Sequence, residues 1–355
     1  MDFHLVRFVS SAFITILHKT QTVAQGRPQF RELRGASMLR VRLFGIILMP
    51  LLAACSGGGT SGSAALPGAT NINATVPASV AAVSPERRLR IYLANAEGNN
   101  VTTYNSDGSQ IAPTITVGLN GPFAVTVDIF GKIYVTSLGN QIPGNGTLTT
   151  YNPDGTQTTP TITGLTDPSG VAVDLFGKIY VTEFSAGIIR TFTRKGVPTT
   201  PIISTGLKAP LDVATDLNGK IYVADPGNHG LETYTPTGVQ TTPTITGLEF
   251  PQGVAVDVLG RIYIANQGRT SAPGGNTVMI FTKAGVLTET ISAGLSSPYR
   301  VAVDLFGKIY VTNAGCTNSG VCSGNGNVTT FTSKGIQTSP TIMTGVMNPV
   351  GVAVH

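Results

Sequence analysis

The chain has 355 residues, enough for one large domain or two, with 12% charged residues, 43 glycines and no tryptophan. Its formal net charge is +5, but 7 of the 23 Lys/Arg and 2 of the 18 Asp/Glu fall in residues 1–55, leaving 16 of each sign in 56–355. That balance carries no phosphate-neutralising stripe, which excludes a nucleic-acid partner.

Met38-Leu-Arg-Val-Arg42 is a short positively charged segment, followed by an apolar run of 12 residues from Leu43 to Ala54. The run is too short to span a bilayer and is interrupted by Pro50. It ends in Leu52-Ala53-Ala54-Cys55-Ser56, which resembles a bacterial lipobox. The resemblance implies that residues 38–55 are a lipoprotein signal peptide. It also implies that the Cys55 thiol takes a diacylglycerol, and that Cys55 becomes a palmitate-bearing, membrane-anchored N-terminus. Ser56 is compatible with delivery to an outer membrane, on its periplasmic or surface face. The competing reading is an ordinary secreted protein. Residues 1–37 lie ahead of this segment and read as an upstream or mis-started stretch, with Met38 as the expected initiator.

Residues 56–86 open with Ser56-Gly-Gly-Gly-Thr60 and continue rich in Ala, Ser, Pro and Thr, the composition of a flexible linker. Gly57, Gly59 and Gly62 match a dinucleotide-binding spacing, but no strand precedes them and no helix follows.

From residue 87 to 355 the chain repeats itself. Ile-Tyr followed by two or three apolar or small residues recurs with Ile at 91, 133, 179, 221, 262 and 309, at intervals of 42, 46, 42, 41 and 47 residues. That period predicts blades of four strands. The first strand carries Val-Ala-Val-Asp, as at Val171 to Asp174, and the second carries Ile-Tyr-Val-Thr. The third is Thr-rich and aromatic, as at Leu148 to Tyr151, and the fourth resembles Pro160-Thr-Ile-Thr163. A Gly-Leu-x-x-Pro corner leads into the next cycle.

The repeat begins on a second strand, at Ile91, and ends on a first strand, Val352–Val354. The C-terminal strand is therefore expected to complete the first blade and close an all-β, six-bladed β-propeller, leaving no open edge. An open solenoid would leave that strand unpaired. Pro168-x-Gly-Val-Ala-Val-Asp174-x-x-Gly-Lys-Ile-Tyr-Val-Thr182 and Ile221-Tyr-Val-Ala-Asp225-x-Gly-Asn228 resemble NHL repeats. Propellers similar to these include extracellular sensor domains, gluconolactonase-like hydrolases, streptogramin-lyase-like enzymes and amidating lyases, so the resemblance speaks to fold more than to activity.

In such a blade the loops after the second and fourth strands share one face, the loop face. The turn after the first strand lies on the other, the turn face. The insertions at Leu138–Gly146, Gln267–Asn276 and Ala314–Asn327 make the loop face the candidate binding surface. The second strands end in Asn95, Ser137, Glu183, Asp225, Asn266 and Asn313. Glu183, Asp225, Asn266 and Asn313 could hold Ca²⁺, and gluconolactonase-like enzymes use a comparable set. Alternatively, each caps a turn by accepting backbone N–H bonds.

The glycine before Val-Ala-Val is replaced by Asp212 in blade four and Arg300 in blade six, a pair that could orient a polar ligand or stand as unpartnered surface charges. Tyr299, Phe123, Phe184, Phe250 and His229 belong to the same loop set. Asp128, Asp174, Asp216, Asp257 and Asp304 each open an Asp-x-x-Gly turn and are read as structural. The apolar residues inside those turns, such as Phe130, Phe176 and Phe306, are expected to pack between blades or to form an exposed ring.

After residue 55 only His229 and His355 remain, too few for an amidating-lyase-like zinc site. Cys316 and Cys322, with five residues between them, read as a disulfide stapling its own loop. The expectation is a cell-envelope lipoprotein whose propeller binds a small molecule or a protein through its loop face. The alternative is a metal-dependent lactonase-like or lyase-like enzyme.

Overall fold

Runs of β-branched and aromatic residues form strands here wherever Gly and Pro bracket them. In the computed structural model, which describes residues 89–268, 275–314 and 326–355, they make six four-stranded antiparallel sheets. The innermost strand of each sheet touches the innermost strands of both neighbours, which gives a six-bladed β-propeller. In blade two, β4 (Pro122–Val127), β5 (Ile133–Ser137), β6 (Gly146–Tyr151) and β7 (Gln157–Leu165) run in order from the axis outward. Cys55 and the Cys316/Cys322 pair lie outside the described residues.

Burial follows position in the blade. Second strands such as β5 and β9 (Ile179–Glu183) are buried along their whole length, because neighbouring blades cover both faces. Fourth strands alternate exposed and half-buried residues, as Gln337–Ile342 does. Apolar clusters fill the seams between blades. One joins Tyr92 and Val101 of blade one to Ile133 and Val135 of blade two. Another joins Ala172 and Tyr180 of blade three to Ile221 and Val223 of blade four.

Closure is as the offset repeat predicts. β24 (Pro349–Val354) pairs antiparallel with β1 (Arg90–Asn95), with Val354 opposite Ile91 and Val352 opposite Leu93. His355 and Arg90 exchange both backbone hydrogen bonds, at 2.8 and 3.0 Å. The seam at this join packs Tyr310 and Val328 of blade six against Ile91 and Val352 of blade one. Every blade is completed by strands between Arg90 and Val354, so the ring closes within these residues.

The turn-face chemistry repeats around the ring. Asp128 Oδ1 accepts from the backbone N–H groups of Phe130 and Lys132, at 2.9 and 3.0 Å, and Oδ2 accepts from the Tyr134 hydroxyl at 3.1 Å. Asp174, Asp216, Asp257 and Asp304 do the same with Tyr180, Tyr222, Tyr263 and Tyr310. These carboxylates are structural, each holding its turn to the following strand. The apolar residues inside the turns do not pack between blades. Phe176 is 84% exposed and Leu305 78%.

The hairpins joining third and fourth strands also lie on this face, and there glycine has a steric role. Gly196 has φ +78°, and a Cβ on it would sit 2.5 Å from Cβ of Pro160 in the preceding blade.

Candidate functional site

The loop-face corners are built from the ends of the second strands. Asn95 accepts from Met347 N at 3.2 Å, Ser137 from Asn120 N at 3.4 Å and Glu183 from Thr166 N at 3.2 Å. Asp225 accepts from Lys208 N and Ala209 N, Asn266 from Phe250 N, and Asn313 from Ser296 N, at 2.8 to 3.1 Å. One oxygen-bearing side chain per blade thus staples the chain where it returns toward the axis.

Further partners occupy the same groups. Glu183 Oε1 pairs with Arg190 Nη1 at 3.1 Å. Asp225 also accepts from the backbone and side chain of Asn228. Asn313 Nδ2 donates to Asn327 Oδ1 at 2.8 Å and Thr329 Oγ1 at 2.5 Å. Among the described residues, no group of three or more His, Cys, Asp or Glu is placed to hold a metal ion.

The two departures from the repeat meet on the axis. Asp212 Oδ2 accepts from Val254 N at 2.9 Å and lies 3.5 Å from Arg300 Nε. Arg300 Nη2 donates to Ser169 O at 2.7 Å and Leu211 O at 3.1 Å, and Nη1 donates to Gln252 O. One guanidinium therefore ties blades three, four and five to blade six. Both charged residues are buried, which corrects the reading of them as surface charges without a partner. Burial raises the Asp212 carboxyl above its ordinary range, and Arg300 only partly offsets this. The glycines kept in neighbouring blades give the pair its room. A Cβ on Gly170 would approach Asp212 Cα to 2.8 Å, and one on Gly253 would approach Arg300 Cα to 2.9 Å.

Aromatic residues cover the pair on the loop-face side. The Phe123 and Tyr299 ring centres lie 5.5 and 5.4 Å from the Arg300 guanidinium. The two rings meet edge to face, with centres 5.7 Å apart. Phe123, Leu211 and Val350 form a buried plug with half-buried Ala96, Leu138, Phe184 and Tyr299 around it. Burial pushes the Tyr299 hydroxyl up to about 12, with Arg300 pulling the other way. His229 stands apart on the rim, left-handed at φ 54°, its Nδ1 2.8 Å from Glu249 O.

Behind the pair lies a cavity of about 200 Å³ walled by the Val-Ala-Val strands. Its far end is partly exposed, at Val127, Val173, Thr215, Val256, Val303 and Val354. The channel thus opens on the turn face and is stoppered on the loop face. Sequence reasoning did not find the stopper as a set. Its signal was the residue after each corner proline, namely Phe123, Ser169, Leu211, Gln252, Tyr299 and Val350.

The sequence matches no protein-family profile. No curated protein matches it either. Solved structures do share the fold. The propeller of a nidogen/laminin complex is similar at a TM-score of 0.60 and 16% identity, over 75% of this chain and 98% of that one. A protein of unknown function from Bacteroides caccae is similar at 0.58 and 12%, over the same 75% and 98%. A streptogramin B lyase is similar at 0.54 and 14%, over 74% and 83%. At these identities the likeness is one of fold.

Proposed function

We propose that this chain is a bacterial cell-envelope lipoprotein, anchored through lipid on Cys55, whose propeller binds a protein partner through its loop face. The observation that carries the binding reading is the central platform of that face. Phe123 and Tyr299 are fixed edge to face over the buried Arg300–Asp212 pair, with Phe184 and Leu138 half-buried beside them. Aromatic anchors held rigid before binding lose little conformational freedom on contact, which suits a protein interface. A propeller of the same fold occurs in the nidogen/laminin complex, which supports this use of the architecture.

The enzymatic reading needs the oxygens of Glu183, Asp225, Asn266 and Asn313 to coordinate Ca²⁺. Those oxygens already serve corner N–H groups. The envelope reading further takes Cys316 and Cys322 as a disulfide and the outer membrane as the destination.

Two experiments test the proposal. Replacing Cys55 by Ser should abolish labelling by a palmitate analogue and move the protein from the membrane to the soluble fraction. A photo-crosslinking residue at Phe184 should give one discrete protein adduct in cells, and Leu138→Glu, at a half-buried position beside it, should remove it with thermal unfolding unchanged. Label retained in the Cys55 variant, or a crosslink indifferent to Leu138→Glu, overturns the corresponding half.

A further inference from the structure

We infer that the turn face is a bilayer-docking surface, on which the propeller rests with its loop face turned outward. This deepens the lipid-anchored reading and rests on it for the choice of a phospholipid bilayer as occupant.

The first observation is the apolar ring. Phe130, Phe176, Leu259, Leu305 and Phe306 are each more than 60% exposed. They come from the first-to-second-strand turns of blades two, three, five and six, around the open end of the channel. A wider ring on the same face adds exposed Val197, Val239, Val286 and Ile336 from the outer hairpins. The tips are spread around an annulus rather than gathered in a groove, the form that meets a plane. Apolar surface repeated on this scale marks an interaction site.

Charge is the second. Lys132, Lys178, Arg261 and Lys308 stand two residues beyond Phe130, Phe176, Leu259 and Phe306, and Lys220 holds the same place in blade four, each with its cationic end 5.3 to 5.7 Å from the centre of a buried Tyr ring. The Arg194 guanidinium lies 4.6 Å from the Phe130 ring centre. The matching carboxylates, Asp128, Asp174, Asp257 and Asp304, are buried beneath the turns. In those four blades the half-buried cation therefore lies nearer the surface than its carboxylate, while in blade four Lys220 and Asp216 are both half-buried. Apolar tips with a cationic collar complement acyl chains beneath anionic headgroups.

The third observation is where the chain arrives. Arg90 opens β1 on the turn face, bonded to the C-terminal His355. Residues 56–89 separate it from Cys55. A tether entering here delivers this face to the membrane that holds the anchor, and tethering raises the effective concentration of the second contact.

The test uses the chain from Ser56, which contains the closed ring but not the lipid-bearing residue. It should co-sediment with vesicles of phosphatidylethanolamine and phosphatidylglycerol, and more weakly with phosphatidylcholine alone. Phe130→Glu, Phe176→Glu and Phe306→Glu together should weaken binding by about tenfold or more with thermal unfolding unchanged. Since the chain has no tryptophan, Phe176→Trp supplies a single reporter at a position 84% exposed. Its emission should shift to the blue on vesicles, and that of Phe184→Trp on the loop face should not.

No shift at Phe176→Trp, or equal shifts at both positions, overturns the inference. So does a vesicle-independent dimer dissolved by the triple substitution, which would assign the ring to a second copy. These readouts need no lipid on Cys55, so the anchor and the docking face fail separately.

Discussion

Arg300 Nε lies 3.5 Å from Asp212 Oδ2, on the ring axis, with the two residues contributed by blades six and four. Neither is on the surface, and the arginine reaches carbonyls of three blades. Removing one partner strands the other charge in the core. Arg300→Met should therefore cost about 3–5 kcal/mol, and Asp212→Leu/Arg300→Met together should recover much of that loss. Denaturant unfolding of the two singles and the double measures this coupling.

The corner staples differ in how many donors they serve. Asp225 is fully buried and accepts from Lys208, Ala209 and Asn228, whereas Ser137 serves one N–H at 3.4 Å. Asp225→Ala should cost about 2–3 kcal/mol and Ser137→Ala under about 1 kcal/mol. Chemical denaturation orders them, and equal losses would contradict the corner assignment.

Calcium is expected to leave the ring unchanged. A site filled about 100-fold above its Kd would add about 2.7 kcal/mol. Thermal unfolding with EDTA and then with excess Ca²⁺ should give superimposable curves. A rise abolished by Glu183→Ala would restore the metal-dependent reading.

Alkali should unfold the protein cooperatively. Burial raises the hydroxyls of Tyr134, Tyr180, Tyr222, Tyr234 and Tyr263, and pushes those of Tyr151 and Tyr299 up to about 12. Above the ordinary value near 10, the unfolded chain releases these protons while the folded ring keeps them. The folded state then binds more protons, so stability falls as pH rises. It is intact below about 10 and declines by up to about 1.4 kcal/mol per pH unit for each buried tyrosine. Tyrosinate absorbance and loss of β circular dichroism should rise together.

Glycine between the outer strands is required by contact as well as by dihedral angle. Gly196→Ala places a Cβ 2.5 Å from Pro160 at φ +78°. It should cost about 1–3 kcal/mol, visible as a lowered denaturation midpoint.

How far the sequence could be read depended on the range of each interaction. Asp128 and Gly131 lie three residues apart and announce a turn, which the structure shows with Asp128 Oδ1 accepting from Phe130 and Lys132, and the Tyr134 hydroxyl on Oδ2 is a bond that reading did not include. The offset between Ile91 and Val354 announced the closing strand for the same reason, since pairing rules need only order along the chain. Arg300 was recognised as unusual, but its acceptors are backbone carbonyls 48, 89 and 131 residues away. Backbone oxygen carries no side-chain signature, so only the ring's geometry could supply those partners. The turn aromatics were undecided because Phe176 obeys the same local rules whether a neighbour covers it or water does.

The clasp between β1 and β24 also gives the molecule a mechanical character. β1 lies between β24 and β2 (Asn100–Asn105), hydrogen-bonded on both sides. A force applied to the chain ahead of Arg90 reaches the ring at β1 and acts on two ladders at once. Because β24 follows every other strand of the ring in chain order, the ring of a nascent chain stays unlocked until that strand has been made. Once locked, a tug on the chain ahead of Arg90 is borne by a strand paired on both of its edges.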